Sequence, residues 1–255
     1  MPATSNSTRP IADLKLAVDD VGGPEIFRSF QGEGPMQGRV RTFIRLSGCN
    51  LHCRWCDTPY TWNWQGTNYR HVDSEKFAPA KEMTKLGLAE ALDRIVALNA
   101  PGVVITGGEP LMQPRQVLAL TQAIKGTRAD ISVEIETNGT LAPHPDLIEA
   151  VDLFMVSPKL RHSGNDPEVL SLGIENFREV KNAQFKFVAK RQTDVITVSQ
   201  ATRGIDSRRV WIMPEGRNAR ALNNSLRKIT RATLRRGFNL TDRQHIRLFG
   251  DKRST

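Results

Sequence analysis

A chain of 255 residues with 39% hydrophobic content can bury one substantial core, and a single α/β domain of that length is ordinary. No run approaches the roughly 18 consecutive apolar residues of a membrane span, the first residues lack the apolar centre of a secretory signal, and three cysteines crowded between positions 49 and 56 give no disulfide framework, so a soluble cytoplasmic protein in a reducing compartment is expected. The net charge of +9 favours anionic partners, although much of the excess lies in 217–236, which reads as a helix with a solvated basic face.

Residues 1–23 are rich in Ser, Thr, Pro and Asp without a sustained period and are expected to form a poorly ordered arm ahead of one folded domain at 24–255. Short runs of β-branched and apolar residues predict strands at 41–47, 102–106, 131–137, 152–156, 184–189, 208–213 and 245–249. Helical patterns fill gaps at 86–99, at 114–125, where proline opens the first turn and Gly126 follows the end, and at 219–236. Such alternation predicts right-handed βα units and a parallel sheet, either doubly wound or a barrel.

The unusual residues stand where these strands end. Cys49 follows the first, Gly107-Gly108-Glu109-Pro110 the second, Asn138-Gly139 the third, Ser157-Pro158-Lys159 the fourth and Pro214-Glu215-Gly216 the sixth. In a parallel barrel those carboxyl ends share one rim, where barrel enzymes build their active sites, and about six βα units make an incomplete barrel, open on one side.

Cys49, Cys53 and Cys56 supply three thiolates, and a cubane iron–sulfur cluster has four irons, so one iron would stay open to a chelating substrate. The amino and carboxylate groups of the methionine in S-adenosylmethionine suit that role. Zinc held by the three cysteines and His52 is the competing reading, weakened because adjacent His52 and Cys53 reach one tetrahedral ion awkwardly. A zinc-bound nucleic-acid module should also interleave aromatic residues with its basic run, and 217–236 has none; no direct nucleic-acid contact is expected.

The string Cys49-x3-Cys53-x2-Cys56, with Trp55 before the last cysteine, resembles the radical S-adenosylmethionine superfamily, as does TGGEP from Thr106 to Pro110. Within it, FQGEG from Phe30, RLSGCN from Arg45, CDT from Cys56, ETNG from Glu136 and SPK from Ser157 resemble the 7-carboxy-7-deazaguanine synthases; an activase of another enzyme shares the cysteine string but need not carry QGEG or CDT. The resemblance implies an α/β fold, an incomplete parallel (β/α)6 barrel, and a carbon–nitrogen lyase. Its reaction is the radical ring contraction of 6-carboxy-5,6,7,8-tetrahydropterin to 7-carboxy-7-deazaguanine with release of ammonia, in queuosine-type biosynthesis. It also implies a [4Fe–4S] cluster on the three cysteines, S-adenosylmethionine, Mg2+ on Thr58, an electron donor such as flavodoxin, and a homodimer.

By the same resemblance Trp55, Cys56, Asp57, Gly108, Glu109, Ser157, Pro158, Lys159, Met213, Pro214, Glu215 and Gly216 meet S-adenosylmethionine. Phe30, Gln31, Gly32, Glu33, Arg45, Thr106, Glu136 and His245 meet the pterin. Glu33 is expected to accept from the two adjacent donors of the pterin's guanidine-like edge, and Arg45 to pair with its carboxylate. The chain departs from the family pattern in its first 23 residues, at Met213–Gly216, and at Arg243–His245, which matches the end motif only in part.

Overall fold

The computed structural model describes residues 11–255. In chain order its elements are β1 (Leu14–Ala17), β2 (Ile26–Phe30), β3 (Val40–Leu46), α1 (Pro79–Glu82), β4 (Met83–Leu86), α2 (Leu88–Ala97), β5 (Gly102–Gly107), α3 (Pro114–Thr127), β6 (Ser132–Thr137), α4 (Pro145–Ala150), β7 (Leu153–Val156), α5 (Glu168–Glu175), β8 (Ala183–Ala189), α6 (Gln192–Ala201), β9 (Val210–Pro214), α7 (Ala219–Arg235), β10 (Asn239–Leu240) and α8 (Gln244–Phe249). The ladder β3-β5-β6-β7-β8-β9-β10 is parallel throughout. At its β3 end the sheet continues antiparallel through β1 to β4, with β2 also pairing with β3, and the two ends of the sheet do not meet. The result is an incomplete barrel.

Side chains alternate across each strand, so every strand offers one row to the helices and one to the interior. The outward row is apolar and buried: Ile44 and Leu46, Val103 and Ile105, Val133 and Ile135, Phe185 and Phe187 join one core with Val117, Leu120 and Ile124 of α3. The inward row carries the charged and polar side chains Arg41, Arg45, Thr106, Glu134, Glu136 and Lys186, interspersed with apolar ones such as Phe43 and Val188. A parallel sheet covered on one face by helices and lined on the other by charge is shaped to hold a polar ligand.

Local chemistry explains the helices. Proline begins α3, and Asn218 caps α7 by accepting from the Ala221 N–H at 2.9 Å. On α7, Leu222, Ser225, Ile229, Ala232 and Thr233 face inward, while Arg220, Arg227, Lys228, Arg231 and Arg235 are exposed, so the basic stretch is a solvated face as expected.

Three expectations need correction. The arm expected to reach residue 23 holds β1, whose Leu14 and Leu16 are buried and whose register Leu14↔Leu86 also moves Leu86 from helix to strand. Four residues are too few for a period to declare itself, and this strand exists by pairing. Residues 1–10 lie outside the described residues. The run 245–249 is not a strand but part of α8, because β10 already occupies the edge beside β9 and only Ile246 of α8 is buried. Helix α3 continues through Gly126 to Thr127.

Candidate active site

The carboxyl ends of β3, β5, β6, β7, β8 and β9 surround a cavity of about 200 Å³. Cys49, Cys53 and Cys56 line it from the loop after β3. Each sulfur has a polar neighbour: the Leu51 N–H donates at 3.4 Å to Cys49 Sγ, Asn165 Nδ2 at 3.1 Å to Cys53 Sγ, and the Thr58 hydroxyl shares a hydrogen bond of 3.5 Å with Cys56 Sγ. Burial pushes the Cys53 thiol up to about 11 against the pull of Lys159, and pushes Cys49 and Cys56 up as well, so loading a metal here displaces protons. Glycine permits the close approach that fixes this loop: a Cβ on Gly108 would lie 2.0 Å from the Gly48 carbonyl oxygen.

Beneath the cysteines the cavity becomes charged. Lys186 of β8 reaches Glu33 of the loop after β2 and stands 3.5 Å from Glu136 of β6. Arg243, just before α8, donates to Glu33 at 3.1 Å and also to Asp57, tying the loop after β2 to the cysteine loop. Burial alone would raise the Glu33 carboxyl, but Lys186, Arg243 and His245 outweigh it and bring it down to about 2. Asp57 falls below the usual carboxylate range because Arg243, His245 and Arg45 outweigh its burial. Gly32 leaves the room in which His245 sits, since a Cβ there would be 2.0 Å from His245 Nδ1.

Residues 43–179 match the model of the Radical SAM superfamily. A 7-carboxy-7-deazaguanine synthase from Pyrobaculum aerophilum is 36% identical over 232 residues, which span 90% of this chain and 95% of that protein. The chain belongs to the 7-carboxy-7-deazaguanine synthases. The enzyme of that name from Escherichia coli is 37% identical over 164 residues, 62% of this chain and 69% of its own. A solved structure titled as the crystal structure of QueE from Escherichia coli superposes with a TM-score of 0.63 at 26% identity, covering 91% of this chain and 95% of that one.

Membership of the superfamily brings a [4Fe–4S] cluster and S-adenosylmethionine, and the geometry suits both. Cys49, Cys53 and Cys56 edge one open space, as a polynuclear cluster needs. His52 does not line the cavity; its ring stacks on Tyr69 with centroids 3.4 Å apart. Trp55 lines the cavity, and its indole N–H is buried with no hydrogen-bond partner among the described residues. Lys159 lies 5.9 Å over the Trp55 ring and donates to Ser157 at 2.9 Å.

Most synthase positions expected from the sequence meet in this cavity. Cys56, Asp57, Gly108, Met213, Glu215 and Gly216 line it beside Trp55, Ser157 and Lys159. So do Phe30, Gln31, Gly32, Glu33, Arg45, Thr106, Glu136 and His245, together with Thr58.

Glu109, Pro158 and Pro214 do not line it. Glu109 is fully buried and accepts from the Leu111 N–H at 2.9 Å and from the Thr137 hydroxyl and Asn138 N–H at 2.7 Å each, so it braces strand ends. Glu33 lines the cavity with each of its oxygens already engaged, one by Lys186 and one by Arg243. Arg45 lines the cavity but gives its Nε–H to Glu25 at 2.8 Å.

Lys186, Arg243, Asn138 and Arg217 line the cavity without having been singled out as site residues. Lys186 had a signal in Gln-Phe-Lys-Phe-Val, a lysine inside an apolar strand, since a buried ammonium requires carboxylate partners.

Proposed function

We propose that this cavity converts 6-carboxy-5,6,7,8-tetrahydropterin to 7-carboxy-7-deazaguanine and ammonia, the activity for which its relatives are named, in queuosine-type 7-deazapurine biosynthesis. The observation that carries the reading is that the three thiols and a charged floor of Glu33, Glu136 and Lys186 share one enclosure. Substrate equals product plus ammonia in atoms and electrons, so the net reaction is an elimination, a carbon–nitrogen lyase step.

Cys49, Cys53 and Cys56 would hold the cluster, and Trp55, Ser157, Lys159 and the Gly108 strand end would hold S-adenosylmethionine. When bound, this pair supplies hydrogen-atom abstraction. The chain's own residues orient the pterin and exclude water. We assign Glu136 the role first given to Glu33: it is engaged by the Thr106 hydroxyl at 2.8 Å, by Gln31 at 3.3 Å and by Lys186 at 3.5 Å, but its side chain is the more exposed of the two, 22% against 12%, and its carboxylate matches two adjacent ring donors. Arg45 faces the substrate carboxylate. Lys186, held protonated because Glu136 and Glu33 outweigh its burial, neutralises the floor.

Thr58 is a hard oxygen donor suited to Mg2+, which needs few protein ligands. We assign a flavodoxin-type electron donor, a cytoplasmic location and a homodimeric state on the family likeness; among the described residues no helix is long and apolar enough to cross a membrane.

Anaerobically reconstituted protein should contain about four irons and four sulfides per chain and release 7-carboxy-7-deazaguanine and ammonia from the pterin. One zinc without sulfide would sink the reading. Thr58→Ala should lower turnover and its magnesium response while leaving iron content unchanged; an unaltered magnesium response would reduce Thr58 to a turn residue.

A further inference from the structure

Glu134 is a buried acid with no part in the chemistry above. It stands two residues before Glu136 on β6, on the same inward row and one layer deeper, and is 3% exposed. Its Oε1 accepts from Gln31 Nε2 at 3.0 Å, and the same amide nitrogen lies 3.3 Å from Glu136 Oε1. Its Oε2 is buried without a hydrogen-bond partner among the described residues. Two carboxylates therefore share one amide group inside the barrel.

We propose that Glu134 is a positioning residue that stays protonated, fixes the Gln31 amide from below, and leaves Glu136 as the member of that pair that faces the pterin. This rests on the pterin reading of the cavity.

Several observations converge. Gln31 is 2% exposed and its backbone is pinned by bonds to Arg39 and Gly38 at 2.7 Å each, so the amide's only freedom is rotation, which Glu134 removes. Its Oε1 then points to the Glu33 N–H at 3.3 Å. The charged groups facing Glu134 are Glu136 on its own strand, Lys186 on β8 and Arg41 on β3. Lys186 is within ion-pair distance of Glu33 and Glu136, and Arg41 donates to the Val40 carbonyl at 3.0 Å, in space left by the missing side chain of Gly102. Neither cation forms an ion pair with Glu134 among the described residues. Burial, then the Glu136 charge, push its carboxyl up to about 8 against the pull of Lys186 and Arg41.

The test measures anaerobic equilibrium binding of 6-carboxytetrahydropterin, without S-adenosylmethionine so that nothing turns over, to wild type, Glu134→Gln and Glu134→Ala between pH 6.5 and 9. The isosteric Gln variant should match wild type within about twofold at pH 7, and should hold its affinity at pH 9, where wild type weakens by up to about tenfold as Glu134 ionises. Taking the ratio of the two proteins cancels titration of the ligand itself. Glu134→Ala removes one of the two acceptors of the Gln31 amide and frees that amide to rotate, and should weaken binding about tenfold or more at pH 7, with iron content and S-adenosylmethionine affinity unchanged.

If Glu134→Gln is as weak as the Ala variant at pH 7, an ionised Glu134 is needed and the proposal fails. It also fails if both variants bind like wild type at every pH. Wild type that does not bind the pterin at all overturns the substrate reading, and this inference with it.

Discussion

Glu33 changes its meaning once its partners are known. From sequence it is a free carboxylate in a glycine-rich loop; in the fold it is the counter-ion of Lys186 and Arg243. Removing one member of a buried ion group leaves the others uncompensated, so Glu33→Gln should cost ~3 kcal/mol or more of folding stability in addition to any loss of pterin affinity. Glu136→Gln should weaken pterin binding about tenfold or more while costing less stability than Glu33→Gln, because Lys186 keeps its closer partner Glu33. Equal stabilities of the two variants would return Glu33 to its first role. Cys53→Ala should lose iron and sulfide, whereas His52→Ala, whose ring packs on Tyr69 and Trp62, should keep them; iron loss in the His52 variant would revive the mixed-ligand zinc site.

At the scale of elements, the six parallel strands expected from sequence are all present, because buried strands of a parallel sheet read as apolar runs too plain to miss. The short antiparallel edge was not legible. β1 and β4 have four residues each and derive their definition from one another, and β10 has two. The same logic divides the site. Motif residues on strand ends were legible because glycine and cysteine are chemically distinctive, whereas Arg243 sits on a segment whose role depends on where α8 turns. Gly108 is the sharpest element-level prediction. Gly108→Ala must separate β5 from the cysteine loop, since its Cβ would also lie 3.1 Å from the Cys49 nitrogen. It should lower iron incorporation and S-adenosylmethionine affinity together; a variant with full iron and normal affinity would show that the two segments slide freely.

Over the whole molecule, two carboxylates give stability opposite pH slopes. Lys186, Arg243 and His245 hold Glu33 down to about 2, well below an ordinary glutamate, so its contribution is present above pH 4.5 and is lost as pH falls toward 2. Glu134 runs the other way. With a native value of about 8 the folded protein holds a proton that the unfolded chain releases, so stability falls as pH rises from 4.5 to 8, by at most about 1.4 kcal/mol per unit. Glu134→Gln should remove that decline, and urea midpoints of the two proteins at pH 5 and pH 8 would diverge by the difference. Parallel midpoints across that range would mean that Glu134 is ionised in the native state.

The seat that Gly32 leaves for His245 ties together positions more than two hundred residues apart in the chain. Neither can vary by itself: any side chain at 32 evicts the imidazole, and a shorter residue at 245 leaves the hollow unfilled. In related chains the two positions should drift as a pair, with a bulkier residue at 32 accompanied by a smaller one at 245. A library randomised at both sites and selected for product should return that correlation.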